Sequence, residues 1–198
     1  MGRNNNEPPK APPTAHTAII LDPVDMWSKP AWDFDQFSDI QRDYPEERQP
    51  LAYAALNICI AATSLRNWVE SIRARNMRRL GLDFSKADFA VELNAAIPEQ
   101  GACEAIANTA KHARFNEANW PGGKVRLLWL EGDEDAPAGF VLYHCDRDGR
   151  NEEMAFNRFS ALVDNWWAYL SDNALAIGAE RTPQWQQNKL KRIFPPIY

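Results

Sequence analysis

Leu51, Ala55, Ile58, Ala62, Leu65, Val69 and Ile72 recur at spacings of three and four residues, the helical period. The pattern predicts a long helix from Pro50 to Leu80, with Gly81 as its C-terminal stop. At about 1.5 Å per residue such a helix exceeds about 40 Å and can serve as the spine of a bundle. Before it, Ser28 and Pro30 resemble a helix start, and Phe34, Phe37, Ile40 and Tyr44 form a stripe that ends ahead of Pro45. After it, Ser85-Lys-Ala-Asp88 has the spacing of a capping box and opens a helix carrying Phe89, Leu93 and Ile97. Pro98 and Gly101 interrupt. A further helix is predicted over about 99–115, with Cys103, Ile106, Ala110 and Ala113 inward, closed by the turn residues Trp120-Pro-Gly-Gly123.

The period then changes. Val125–Leu130 and Phe140–Cys145 are short β-type runs flanking the acidic stretch GDEDAPAG, a hairpin over about 124–146. Asp146-Arg-Asp-Gly149 is a second turn; Gly comes too early in it for a calcium loop, and the distal acidic positions are missing. Phe156, Phe159, Val163, Trp166 and Leu170 mark a last long helix, and Thr182-Pro183 caps a short terminal one before Pro195-Pro196. Residues 1–18, with Pro8, Pro9, Pro12 and Pro13, are expected to be disordered or extended. The expected fold is mainly α: one domain over 19–198, a bundle of four to five helices with a β-hairpin inserted before the last long helix.

The 198 residues suit a domain of ordinary size, and 45% apolar with 25% charged is globular usage. No apolar run approaches the roughly 18 residues that cross a bilayer, and the N-terminus lacks an apolar signal core, so a cytoplasmic protein without membrane contact is expected. Cys59, Cys103 and Cys145 are scattered and form no CxxC pair, which reads as reduced, buried thiols. A net charge of −5 argues against a generic nucleic-acid coat. Eight tryptophans suit both a packed core and a partner surface.

Candidate chemistry concentrates on two helices. On the 99–115 helix, Glu104, Asn108, Lys111, His112 and Phe115 gather opposite the apolar stripe, with Asn108 and His112 one turn apart. Histidine exchanges protons near neutral pH and lysine stabilises developing negative charge, so the group suits phosphodiester cleavage or an anionic ligand. The same stripe also reads as a solvated helix face. On the long helix, Arg66, Arg73, Arg75, Arg78 and Arg79 make the second half basic, a candidate phosphate-contacting surface, or else a set of cations meeting the helix dipole. Asn57 and Thr63 interrupt its apolar face and are expected to be structural, with orientation of His112 as the other reading. His144, in the second strand, is expected to be structural or a partner for His112. No residue set has the spacing of a metal site, and no cofactor motif is present.

Tyr53-Ala-Ala-Leu-Asn57 through Thr63 to Trp68, together with Cys103-Glu-Ala-Ile-Ala-Asn108-Thr-Ala-Lys-His112, resembles a group of uncharacterised bacterial helical proteins. In these, a helix carrying Asn, Thr and Trp precedes one ending in Ala-Asn-x-x-Lys-His. The similarity covers about residues 50–171. More distantly the arrangement is similar to HEPN-type helical domains, many of which are ribonucleases or nucleotide-binding modules of defence and toxin systems. That resemblance implies a metal-independent ribonuclease or RNA- or nucleotide-binding module, with His112 moving a proton, Asn108 orienting phosphate or histidine, and Lys111 neutralising charge. The HEPN enzymes carry an arginine four to six residues before the histidine; here those positions hold Ile106, Ala107 and Asn108. The expectation therefore leans to a non-catalytic interaction or regulatory protein with a protein partner or homodimer. Glu104, Arg73, Arg75, Arg78 and Arg79 are its candidate ligand-binding residues.

Overall fold

The computed structural model describes residues 20–111, 124–134, 138–145, 148–149 and 151–194. His112, the proline-rich stretch 1–18, the turn Trp120–Gly123, Asp146-Arg147 and Pro195-Pro196 lie outside them. The chain is mainly helical: six helices are found among the described residues, with a small antiparallel sheet inserted before the last long helix.

Helix α1 runs from Pro23 to Asp43, five residues or more ahead of the Ser28–Pro30 start expected from the sequence. Asp22 caps it, its carboxylate accepting from the amides of Val24 and Asp25 at 2.8 and 2.9 Å, while Asp25 accepts from the amide of Leu21 at 2.9 Å. Pro23 at the first turn loses no intrahelical bond. Pro30 does sit inside the helix, where proline typically costs about 3 kcal/mol, but it is buried in the core, and that burial offsets the loss.

Helix α2, Arg48–Arg79, is the predicted spine. Its buried positions, from Leu51 to Val69, pack chiefly against α1 and α4. Beyond Val69 no α2 residue is fully buried, so the last ten residues lie at or beyond the edge of the core and tolerate a basic composition. Leu80 closes the helix and Gly81 follows with φ +71°, the left-handed conformation that favours glycine. Ser85 caps α3 (Lys86–Ala96), its hydroxyl accepting from the amide of Asp88 at 3.2 Å, as its spacing predicted.

Helix α4 spans Gln100–Lys111. It is buried over Ala102, Cys103, Ala105, Ile106 and Ala107, a face wider than one stripe, because α2 covers one side and the sheet another. Ala110, expected inside, is exposed: past Ala107 the helix leaves the packed layer.

The expected hairpin is a three-stranded sheet of order β1-β2-β3: Lys124–Leu130, Gly139–Cys145 and Asn151–Met154. Leu142 faces Leu127 on one side and Met154 on the other, and Tyr143 donates to Glu153 at 2.8 Å. At the start of β2 a Cβ on Gly139 would lie 2.8 Å from Nε2 of the buried Gln41, so a larger residue there would have to displace that side chain. His144 is buried in β2, and its Nε2 has no hydrogen-bond partner among the described residues.

Helix α5, Phe156–Asp172, lays Phe159, Leu162, Val163, Trp166 and Leu170 into the core. Phe37 meets Phe159 edge-on at 5.3 Å, and Trp27 donates its indole N–H to the Val163 carbonyl at 3.0 Å. Helix α6, Gln184–Ile193, contributes no buried residue; Lys189, bonded to Asp35 and Asp39 of α1 at 2.8–2.9 Å, and the Trp32–Trp185 contact at 4.9 Å hold it.

Candidate functional site

The predicted site residues divide into three sets. On α4, Asn108 is half-buried and Lys111 is exposed at the last described turn, with His112 just beyond. Glu104, expected beside them as a ligand group, instead turns toward α2. It accepts from Gln100 Nε2 at 2.9 Å and lies 3.3 Å from the Arg66 guanidinium, which is also 3.2 Å from Glu70. Gln100 in turn accepts from the buried Trp166 indole at 3.0 Å. This chain of polar contacts joins α5, α4 and α2. Glu104 is committed to packing.

Thr63 is buried and donates to its own helix at the Cys59 carbonyl, 2.8 Å away, while Asn57 is exposed. The hydroxyl bond is the local one that threonine makes inside helices, which is the structural role expected of it.

The five arginines of the basic half of α2 separate as well. Arg73 bonds to Glu92 of α3 and donates to the Tyr169 hydroxyl of α5 at 2.7 Å. Burial pushes the Glu92 carboxyl up, but the bonds from Arg73 and Tyr169 outweigh it and hold the group below its ordinary value. Burial pushes the Tyr169 hydroxyl up to about 12. Arg66 and Arg73 each lie 5.9 Å from the centre of the Phe89 ring. Arg73 is thus a clamp among three helices.

Arg75, Arg78 and Arg79 point elsewhere. They line an open groove of about 930 Å³ between the C-terminal half of α2 and the start of α1. Its apolar surface comes from Trp68 and Ile72 of α2 and from Leu21 and Pro23 opposite. None of the three guanidinium groups has an ion-pair partner among the described residues; Arg78 donates only to the Ala74 carbonyl of its own helix, at 3.3 Å. Asp22 also lines the groove, with its carboxylate taken up by the cap of α1.

Helix lengths explain the arrangement. The 21 residues of α1 and the short 44–47 connection make α1 and α2 an antiparallel pair, which brings the start of α1 level with about Val69. The remaining ten residues of α2 overhang it. Residue spacing alone pointed to the arginines; Leu21, Pro23 and Trp68 joined them only through this pairing. The missed signal was Asp22-Pro23, an N-cap followed by proline at the first helical position.

Among the described residues no group of three or more His, Cys, Asp or Glu side chains is placed to hold a metal ion, and no helix is long and apolar enough to cross a membrane. No family model, no curated protein and no solved structure matches the chain.

Proposed function

We propose that the protein is a non-catalytic interaction protein that holds an anionic partner in the groove between α1 and the overhanging end of α2. The observation that carries this reading is the set Arg75, Arg78 and Arg79, without carboxylate partners among the described residues and beside an apolar floor. Arginine and tryptophan are the residue types that contribute most to protein interfaces, because each combines a large contact area with directed polar groups. The neighbouring Arg66 and Arg73, on the same helix, are drawn into ion pairs with Glu70, Glu104 and Glu92. The groove arginines offer their charge to solvent or to a partner.

A photo-cross-linking residue in place of the exposed Ser71, in the native cells, is expected to give an adduct of defined mass. Charge reversal at Arg75 and Arg79 is expected to reduce it at least tenfold, and the purified protein is expected to leave RNA uncut. RNA hydrolysis that His112→Ala abolishes would overturn the reading, as would an adduct that the charge reversal leaves unchanged.

A further inference from the structure

We infer that the occupant of the groove is a short acidic polypeptide segment with an apolar anchor at one end, an inference that rests on the interaction role proposed above. The two ends of the groove differ in chemistry. Its α1 end is apolar, where Leu21 and Pro23 face Trp68 and Ile72. Its outer end is cationic, formed by Arg75, Arg78 and Arg79 on the overhang of α2. The α2 stretch from Asn67 to Arg79 rises about 18 Å, the length of about three helical turns.

Charge complementarity sets the partner's chemistry and its direction. Guanidinium groups pair with carboxylates through two parallel hydrogen bonds, which suits aspartate or glutamate at the outer end. Asp22 stands at the α1 end of the groove and disfavours carboxylates there, so the apolar residue of the segment belongs against Leu21, Pro23, Trp68 and Ile72. A nucleic-acid strand fits less well. It needs open aromatic faces for its bases, whereas Trp68 is partly buried and packed on the core. A long polyphosphate would also run beyond three arginines onto a chain whose net charge is −5.

The test is fluorescence anisotropy on the full chain with a labelled peptide of two leucines followed by four glutamates. Saturable binding is expected. Replacing both leucines by serine is expected to weaken it at least tenfold, and so is Arg75→Glu with Arg79→Glu, whose exposed positions leave the melting curve in place. A twelve-nucleotide oligouridine is expected to bind more weakly than the peptide. Three results would overturn the inference: tighter binding of the RNA, equal binding of the leucine-free peptide, or no peptide binding. If the Ser71 adduct still forms, those results remove only the peptide assignment; if the adduct also fails, the interaction role falls with it.

Discussion

Trp166 is fully buried on α5, and its indole N–H meets the side-chain oxygen of Gln100, which is fully buried too. A polar group with no access to water keeps its hydrogen bond or carries the whole desolvation cost, so this pair is more sensitive than its apolar neighbours. Trp166→Phe removes the donor, orphans the Gln100 oxygen and leaves a small void. It is expected to lower stability by about 2–4 kcal/mol in urea unfolding. A loss under about 1 kcal/mol would mean that water or a rotated Gln100 satisfies the site. Of the three thiols expected to be buried, Cys59 and Cys103 are, whereas Cys145 at the end of β2 is only half-buried; hydrogen bonding with Cys59, then burial, push the Cys103 thiol well above its ordinary value. Cys103 is not poised for thiolate chemistry.

Among the elements, the amphipathic helices were legible from their period and the terminal helix from Thr182-Pro183, whereas strand β3 was not. The period of three and four residues in Leu51–Val69 and Phe159–Leu170 survives in the structure, because each helix buries that face. Strand β3, Asn-Glu-Glu-Met, has no apolar alternation; the free edge of β2 makes it a strand. Helix α6 depends on still fewer contacts. Lys189 is held by Asp35 and Asp39, whose hydrogen bonds outweigh burial and raise its ammonium above the ordinary value. Lys189→Ala is expected to cost the whole protein about 1 kcal/mol or less, since the pair is partly exposed. It is expected to speed amide hydrogen exchange over 184–193 by up to about fivefold, with the α2 and α5 amides unchanged. Uniform acceleration would show that α6 unfolds only with the core.

Across the whole molecule, the Arg73–Glu92–Tyr169 clamp ties α2, α3 and α5 together and makes stability depend on pH at both extremes. The Tyr169 hydroxyl lies above its ordinary value of 10.0, at about 12 in the folded chain. Its contribution is therefore fully present below pH 10 and lost as pH rises through about 12, because the folded state then holds a proton that the unfolded state has released. Glu92, held below its ordinary value of 4.5, contributes above that pH and loses the contribution as the medium becomes more acid. Tyr169→Phe is expected to flatten the decline in urea midpoint between pH 10 and 12 relative to the parent. Unchanged alkaline dependence would assign that decline to other groups.

By itself the sequence determined the helical class, the long spine, the last long helix and the position of the first two strands, because apolar periodicity is a local property that burial then uses. It also singled out the basic half of α2. The sequence could not sort those arginines. Arg73 and Arg75 are two residues apart and look alike in a chain of letters, yet one faces the Glu92–Tyr169 cluster and the other the open groove. A helix turns about 200° over two residues, so only the packing of α3, α5 and the start of α1 around α2 decides which charge is neutralised and which is left for a partner.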